Sequence, residues 1–405
     1  MKPLLSIILM FLLWYPVHCL AAWEDSGSRD KWVAIVIDKD EVDAALSDFA
    51  VLLNEDVFVT NAPNMLDSDE TDHCAQNGGG DIRFSSTEPT AADGTGATQI
   101  ACEIVSFVTN STPASATVEI WVPISSLSSV ADTTIYCAWH TSGTSSQPAT
   151  DATYGAESVW SDFDFVSHLE DLTAGTVKDS TASGFTCEKT SSFFPVEDTG
   201  QIGKGQNFDA IDIAYITVGE NSDLQFADGQ AFSFSSWTKS SSTGNYSGII
   251  SKYIPTGAFY ILQFQTDGDI RCQIRDDGSV NNSTATSSGT NYEDGNWHLV
   301  HGTFDGTSIN TLYIDGASAA SNTLALGEIN PNGQLCLGGR SVDVSRPLDG
   351  SSDEARVISS ELSSSWISTE YNNQKSPSTF ASSGSIQTLG STPATGNPRG
   401  MFFIY

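Results

Sequence analysis

The sequence predicts an all-β protein made of two β-sandwich domains, and three observations indicate this fold class. The stretch from Trp297 to Ile314 alternates at period two and carries apolar residues on both faces, as the central strands of a two-sheet sandwich do. Asp305-Gly306, inside that stretch, are the residue types of a tight hairpin connection. Elsewhere, short apolar runs are separated by Gly, Pro, Ser and Thr. Together these features favour short antiparallel strands throughout.

The first 21 residues have the pattern of a secretory signal peptide. Lys2 precedes an apolar run from Leu4 to Val17, and Ala21 and Ala22 supply small residues for cleavage. This run is short for a membrane span, and no later stretch reaches about 18 apolar residues. We therefore predict a signal peptide over 1–21, a secreted extracellular or cell-surface protein, no membrane span, and a mature chain of roughly 380 residues in two domains.

The first predicted domain covers residues 29–150. Alternating apolar positions and turn residues mark its strands. The segments are Lys31–Ile37, Phe49–Leu53, Gln99–Phe107, Ala116–Val122 and Thr133–Trp139.

The second predicted domain covers residues 158–380 and contains the central hairpin. Phe232–Trp237 reads as a strand with alternating aromatics, and Phe259–Phe264 with Ile270–Ile274 reads as a second hairpin. From Ser376 onward the composition shifts to Ser, Thr, Gly and Pro without periodicity. We therefore predict a flexible tail over 381–405.

The charge of the chain excludes some partners. Asp and Glu number 50 against 17 Lys and Arg, which gives a net charge of −33. Nucleic acids and anionic membrane surfaces require basic patches, so neither is an expected partner. The acidity has two interpretations, solubility of a secreted protein or binding of divalent cations by Asp-rich loops.

Six cysteines remain after the predicted signal peptide, an even number that permits disulfides in a secreted chain. The favoured pairs are Cys102 with Cys137 and Cys272 with Cys336, because each pair lies in predicted strands of one domain. Sequence alone cannot fix this connectivity. The spacing of Cys and His gives no sign of a zinc site.

Two motifs carry a family resemblance. "DGNWHLVHGTFDG…LYIDG" around the central hairpin resembles a laminin-G-like domain, a jelly roll of the concanavalin-A-like lectin superfamily. "PLDGSSDEARVI" over Pro347–Ile358, followed by "WISTEYNNQ" over Trp366–Gln374, resembles the end of the same domain. The resemblance implies that the second sandwich is a jelly roll.

The first half resembles an uncharacterised secreted bacterial β-domain that commonly precedes a laminin-G-like domain. The resemblance rests on "SDFAVLLN", "GGGDIRF" and "ATVEIWVPISSLSSVADTTIYCAWH". Val159-Trp160 with His168-Leu169-Glu170 resembles the junction between the two domains, although Ser167 stands where a Trp is usual.

The laminin-G-like resemblance implies a structural calcium ion with Asp209 and Asp353 as metal ligands. An alternative is that Asp353 and Glu354 are structural, pairing with Arg356 or capping a turn. Both interpretations stay open at this point.

Catalytic residues are not evident. Concanavalin-A-like enzymes that cut β-glucans carry a Glu-x-Asp-x-x-Glu pattern, and hydrolysis needs two carboxyls at a defined separation. The nearest match, Glu70-Thr71-Asp72, has Ala75 in the place of the second Glu. His298 and His301, three apart on a strand, point to opposite faces and cannot share one ion. The chain is therefore predicted to be non-enzymatic.

The resemblance favours a protein that binds a glycan or another surface component through loops or the concave sheet of the second domain, with the ligand-binding residues unknown. One alternative is a structural or adhesive component of a cell surface or virion. A weaker one is a polysaccharide-active glycoside hydrolase.

Overall fold

The structure, a computed structural model, describes residues 23–25, 27–141, 144–171, 175–190, 194–278, 282–340 and 346–389. The signal peptide predicted over 1–21 and residues 390–405 of the predicted tail lie outside the described residues. The described chain consists mainly of antiparallel strands with a few short helices, which confirms the all-β fold class.

The first sandwich is built from short strands. They are β1 Lys31–Ile37, β2 Phe49–Asn54, β3 Arg83–Ser85, β4 Gln99–Ile100, β5 Glu103–Val108, β6 Thr117–Ile124 and β7 Thr133–Trp139, with helix α1 Glu55–Phe58 and 3₁₀ turns at Lys39–Glu41, Pro63–Met65 and Pro113–Ser115. These strands form two facing sheets, with the orders β1-β7-β3-β4 and β2-β6-β5. Alternate residues of β1 (Val33, Ile35 and Ile37) and of β2 (Val51 and Leu53) fill the core between the sheets.

Helix α2, Ala156–Val159, leads into the second sandwich, whose two sheets are larger. The strands are β8 Phe165–Ser167, β9 Thr176–Val177, β10 Cys187–Thr190, β11 Val196–Thr199, β12 Lys204–Phe208, β13 Tyr215–Val218, β14 Phe232–Ser240, β15 Ser247–Tyr253, β16 Phe259–Phe264, β17 Ile270–Arg275, β18 Ser283–Thr286, β19 His298–Phe304, β20 Ile309–Ile314, β21 Ala317–Thr323, β22 Leu335–Leu337 and β23 Gly350–Ile358. One sheet has the order β18-β17-β16-β15-β22-β13-β10-β9 and the other β11-β12-β23-β14-β19-β20-β21, with β8 paired to β23.

The central hairpin predicted from sequence is present. β19 pairs with β20, and Gly306 adopts the positive φ of 83° that the connection requires. Val300 and Phe304 point into the core between the two sheets. Their neighbour Gly302 is also packed tightly, since a Cβ there would lie 2.7 Å from the Sγ of Cys272. The hairpin is therefore a central, doubly covered part of the sandwich.

The C-terminal segment folds back over both sandwiches. Helices α3 Ser364–Lys375 and α4 Pro377–Phe380 are followed by strands β24 Ala381–Ser383 and β25 Gln387–Thr388, which pair antiparallel with β1. The prediction of a flexible tail is therefore wrong for 381–389. The polar composition suggested a tail without regular structure. The segment is nevertheless ordered, because its backbone pairs with the N–H and C=O groups on the open edge of β1.

The two sandwiches share an apolar interface. Ala50 and Leu52 on the outer face of β2 pack with Trp121 of β6 against Trp160 and Val166 of the second half. β2 is consequently buried on both faces, which explains its continuous apolar run. Helix α3 closes the same junction, since the side chain of Asn373 accepts from Leu52 N at 2.7 Å and donates to Leu52 O at 3.1 Å.

The predicted disulfides do not form, since all four candidate cysteines are free thiols in this structure. Cys272 on β17 and Cys336 on β22 are separated in their sheet by β16 and β15. Three strand spacings amount to about 14 Å, far more than a disulfide spans. Cys102 and Cys137 are each buried and reduced.

Within the described ranges, none of the helices is both long and apolar enough to span a bilayer.

Candidate functional site

The two aspartates predicted as calcium ligands are not brought together. Asp353 is fully buried on β23 and accepts from Ile202 N at 2.9 Å, whereas Asp209 is exposed and accepts from Ile211 N at 2.7 Å. The register of β12 with β23 sets Asp209 four residues beyond the position facing Asp353, about 13 Å along the strand. One ion cannot contact both carboxylates.

A β-bulge in β23 shapes the surroundings of Asp353. The pairing of β14 with β23 shifts between Ser235 and Trp237, and Glu354 there has a φ of +50°, a conformation that costs a non-glycine residue about 1 kcal/mol or more. As a result, the three charged side chains of this segment lie at the interface with the first sandwich. Asp353 accepts from Ile202 N, Glu354 lies against His168, and the Arg356 guanidinium stacks on the Trp121 ring.

His168, which follows β8, is the centre of a buried polar cluster at that interface. Its Nδ1 lies 2.7 Å from Glu354 Oε1 and 3.3 Å from Glu119 Oε1, and its Nε2 lies 3.1 Å from Glu103 Oε2. The residues come from both halves of the chain, Glu103 on β5 and Glu119 on β6 in the first sandwich and Glu354 on β23 in the second. All four are at most 5 % exposed.

Further side chains hold Glu103 in place. Trp160 Nε1 donates to Glu103 Oε2 at 2.6 Å, while Lys178 Nζ and the hydroxyl of Ser180 donate to Oε1 at 2.6 and 2.8 Å. Charge-assisted hydrogen bonds of this kind fix both the carboxylate and the imidazole that faces it.

The pKa values of the groups in this cluster are shifted in different directions. Burial lowers the pKa of His168, but the charges of Glu354 and Glu103 outweigh burial and raise it well above its ordinary value. Burial raises the pKa of Glu119 far above normal, and His168 offsets only part of this. For Glu103, burial is overcome by the charges of His168 and Lys178, so its pKa lies well below the ordinary range. Glu103 and Glu354 thus favour the charged form of the His168 imidazole between them, whereas burial disfavours the charged form of Glu119.

A second buried group continues from this cluster. Arg356 donates to Glu354 Oε2 at 2.6 Å and to Glu370 Oε1 of α3 at 2.7 Å, and His301 Nε2 lies 2.9 Å from Glu370 Oε2. The alternative interpretation, in which Glu354 pairs with Arg356, therefore describes the geometry. His298 faces the other way, with Nδ1 2.8 Å from Asp315 Oδ2.

Burial limits the chemistry of this cluster. A polysaccharide cannot reach carboxylates that are at most 3 % exposed, so the paired acids cannot act on it as a hydrolase would. The arrangement joins the two halves of the chain through charges. It also offers ligand atoms for a metal, since one atom each of Glu119, His168 and Glu354 lie within 4.8 Å of one another.

Sequence reasoning missed Glu103, Glu119 and His168 as a group, although one signal was present. Val118, Ile120 and Val122 share the core face of β6, which sets Glu119 and Trp121 together on the opposite face. A glutamate beside a tryptophan on a strand with few polar residues indicates a second buried face. Sequence could not show that His168 and Glu354 would meet that face.

The loops at one end of the second sandwich form a more open feature. A depression of about 400 Å³ is lined by Asn245, Tyr246, Arg346 and Asp349, among others. The Arg346 guanidinium stacks 4.4 Å from the centre of the Tyr246 ring and donates to Gln263 Oε1 at 2.8 Å. Next to it lies a polar depression of about 270 Å³ that shares Asp349 and includes Asn207 and Lys239.

Comparisons with known proteins agree with this fold. Residues 213–368 match a laminin-G family model described as the concanavalin A-like lectin/glucanases superfamily, which confirms the resemblance of the second domain. No curated protein matches the chain.

Two solved structures illustrate the similarity. The binding domain of Paraclostridial Mosquitocidal Protein 1 is similar at 16 % identity and a TM-score of 0.44, with 52 % of each chain covered. The botulinum neurotoxin serotype G binding domain is similar at 14 % identity and a TM-score of 0.41, covering 52 % of this chain and 50 % of that one. The chain thus spans about half the length of these structures.

Proposed function

We propose that this protein is a secreted, non-enzymatic binding protein that takes a glycan or a related surface component at the loop end of its second sandwich. The pattern of residues 1–21 supports secretion, which N-terminal sequencing of the protein from the medium would test. The two adjoining depressions that share Asp349 are the observation that carries the binding role.

The larger depression has the chemistry that a sugar ring needs. Tyr246 is 39 % exposed and offers an aromatic surface and a hydroxyl, which suit the apolar and polar sides of a pyranose. Arg346 supplies donors in a fixed plane, while Asn245 and Asp349 supply acceptors for hydroxyl groups. Arg346 itself has a φ of +59°, a strained conformation that is common at ligand sites.

The second depression extends the same surface. Asp349 lines both, so a ligand with successive rings can contact Tyr246 with one ring and Lys239 or Asn207 with the next. This length favours an oligosaccharide over a single small molecule.

A binding role fits the distribution of carboxyls better than hydrolysis does. Among the described residues lining the larger depression, Asp349 is the one carboxylate, and Asp198 lines the adjoining depression instead, whereas glycoside hydrolysis needs two carboxyls around one bond. The closely spaced carboxylates Glu103, Glu119 and Glu354 are instead buried between the sandwiches.

The test is binding on a glycan array, followed by calorimetry with the best oligosaccharide for the wild type, Tyr246→Ala and Arg346→Met. Loss of the aromatic surface or of the guanidinium should weaken binding at least tenfold, about 1.4 kcal/mol. Tyr154→Ala, a half-buried tyrosine at the first sandwich, is the matched control and should bind as the wild type does.

Two results would contradict the proposal. Release of reducing sugar from polysaccharides would show an enzyme. Self-assembly into defined oligomers, with no affinity for any glycan, would favour the structural or adhesive alternative.

A further inference from the structure

We infer that Glu119, His168 and Glu354 form a binding site for one divalent transition-metal ion of the zinc type, which links the two sandwiches. The site is separate from the loop-end depressions of the proposed function and does not depend on them. The calcium ligands expected from sequence, Asp209 and Asp353, are not part of it.

The ligand atoms are arranged as a metal would need. Zinc bonds to imidazole nitrogen and carboxylate oxygen at about 2.0–2.2 Å, which sets ligand atoms about 3.3 Å apart in a tetrahedral site. His168 Nδ1 lies 3.3 Å from Glu119 Oε1 and 2.7 Å from Glu354 Oε1. Widening the shorter distance by about 0.6 Å would admit the ion, and one ligand atom from each of the three residues already lies within 4.8 Å of the others.

The other side of the imidazole has the partner that metal-binding histidines use. His168 Nε2 lies 3.1 Å from Glu103 Oε2, so Nε2–H can donate to this carboxylate while an ion at Nδ1 displaces the proton held there. Glu103 is itself held by Trp160, Lys178 and Ser180. The imidazole is therefore oriented before any ion arrives.

A hydrogen-bonded cluster without a metal leaves one carboxylate oxygen of Glu119 unsatisfied. Glu119 Oε1 faces His168 Nδ1 and accepts from Trp121 Nε1 at 3.0 Å. Glu119 Oε2, on a side chain that is 1 % exposed, has no hydrogen-bond partner. A buried polar atom of this kind requires a partner, and a cation bound through the carboxylate supplies one.

The local charges also favour a cation. Glu103, Glu119, Glu170, Asp353 and Glu354 surround His168, and a Cβ on Gly203 would meet both Glu119 and Glu170. The permanent positive charges in contact with this group among the described residues are those of Lys178 and Arg356, and Arg356 is shared with Glu370. Buried carboxylates in excess of their cations are costly, and a divalent ion would offset that cost.

The donor set selects the class of metal. Calcium and magnesium prefer oxygen ligands in large or octahedral shells, whereas one imidazole with two carboxylates suits zinc, cobalt or manganese. A cavity of about 140 Å³ lined by Glu103, His168 and Glu170 lies on the Glu103 side of the cluster, and the Lys178 side chain that also lines it is 53 % exposed.

The test uses the full-length protein, stripped with a chelator and dialysed against Zn²⁺, Ca²⁺ or buffer alone. We expect about one equivalent of zinc per chain by mass spectrometry, no comparable calcium, and a higher unfolding temperature with zinc. Cobalt substitution should give the visible absorption of a nitrogen- and oxygen-ligated ion. This readout needs only the wild type, so it remains decisive if a variant fails to fold.

Variants locate the ion. Glu119→Gln and His168→Gln should lower zinc affinity at least 100-fold, and Glu103→Gln about 10–100-fold, as loss of an orienting carboxylate does. His301→Gln is the matched control, because His301 is equally buried but contacts a single carboxylate, Glu370. Zinc content no higher than in the buffer control, or the same loss of zinc in His301→Gln as in His168→Gln, would overturn the inference.

Discussion

Replacing Arg356 by Met should destabilise the protein by about 4–5 kcal/mol. The Arg356 side chain is 5 % exposed and contacts Glu354 and Glu370, whose side chains are 1 % and 4 % exposed. Removing one partner of a buried ion pair costs about 3–5 kcal/mol. Because His168 and His301 would still contact the two glutamates, we expect a cost at the lower end, about 3 kcal/mol.

The rest of the lost stability comes from the stacking of the Arg356 guanidinium on two tryptophan rings. The guanidinium lies 4.6 Å from the ring centre of Trp121 and 4.8 Å from that of Trp160. Each cation–π contact adds at least about 0.5–1 kcal/mol, which is the range found at exposed sites. For a fold whose total stability is typically about 5–15 kcal/mol, this single change removes about a quarter of it or more.

Urea unfolding followed by circular dichroism measures the effect, with chelator present throughout. Adding Glu370→Gln to Arg356→Met should recover about 1–2 kcal/mol, because it removes one of the two buried charges left without their partner. Arg271→Met, which removes a half-buried arginine that donates to Thr286, is the control and should cost about 1 kcal/mol or less. A loss below about 1 kcal/mol for Arg356→Met, or a further loss on adding Glu370→Gln, would refute the reasoning.

Three other changes test the fold. Burial raises the pKa of Glu293 to about 7. Because the unfolded carboxyl ionises near 4.5, stability should fall as pH rises from 4.5 to 7, by roughly 1–2 kcal/mol once solvent screening is allowed for. Glu293→Gln should remove that fall in urea titrations at several pH values. Gly302→Ala should cost about 1–3 kcal/mol in thermal unfolding, since its Cβ would meet Cys272 Sγ at 2.7 Å. A chain ending at Phe380 should lose on the order of 3 kcal/mol relative to one ending at Leu389, with faster hydrogen exchange of the β1 amides; unchanged exchange would contradict that pairing.

Sequence periodicity was sufficient where one residue pattern determines one local structure. The hairpin from Trp297 to Ile314 could be predicted because its apolar alternation and its Asp305-Gly306 connection lie close together in the chain. The strand at Phe49–Leu53 was predicted for the same reason, although its second buried face was not.

Long-range pairing was beyond this kind of reasoning. Ala381–Ser383 has no apolar pattern, and it becomes a strand only because β1 leaves one edge open. The candidate site was missed for the same reason. Nothing in the sequence distinguishes Glu103, His168 and Glu354 from other polar residues, and they meet only because the two sandwiches pack together. The calcium assignment failed to join Asp209 with Asp353 because a motif fixes neither strand register nor burial.

The return of the chain end to its beginning has a consequence for synthesis. Lys31 and Thr388, whose side chains hydrogen-bond at 3.1 Å, are separated by 357 positions. A ribosome adding about 5–20 residues per second would leave the outer edge of β1 uncovered for tens of seconds after that strand emerges. During this interval the half-built protein presents a ready template for pairing with other chains, so slow or interrupted translation should promote its aggregation.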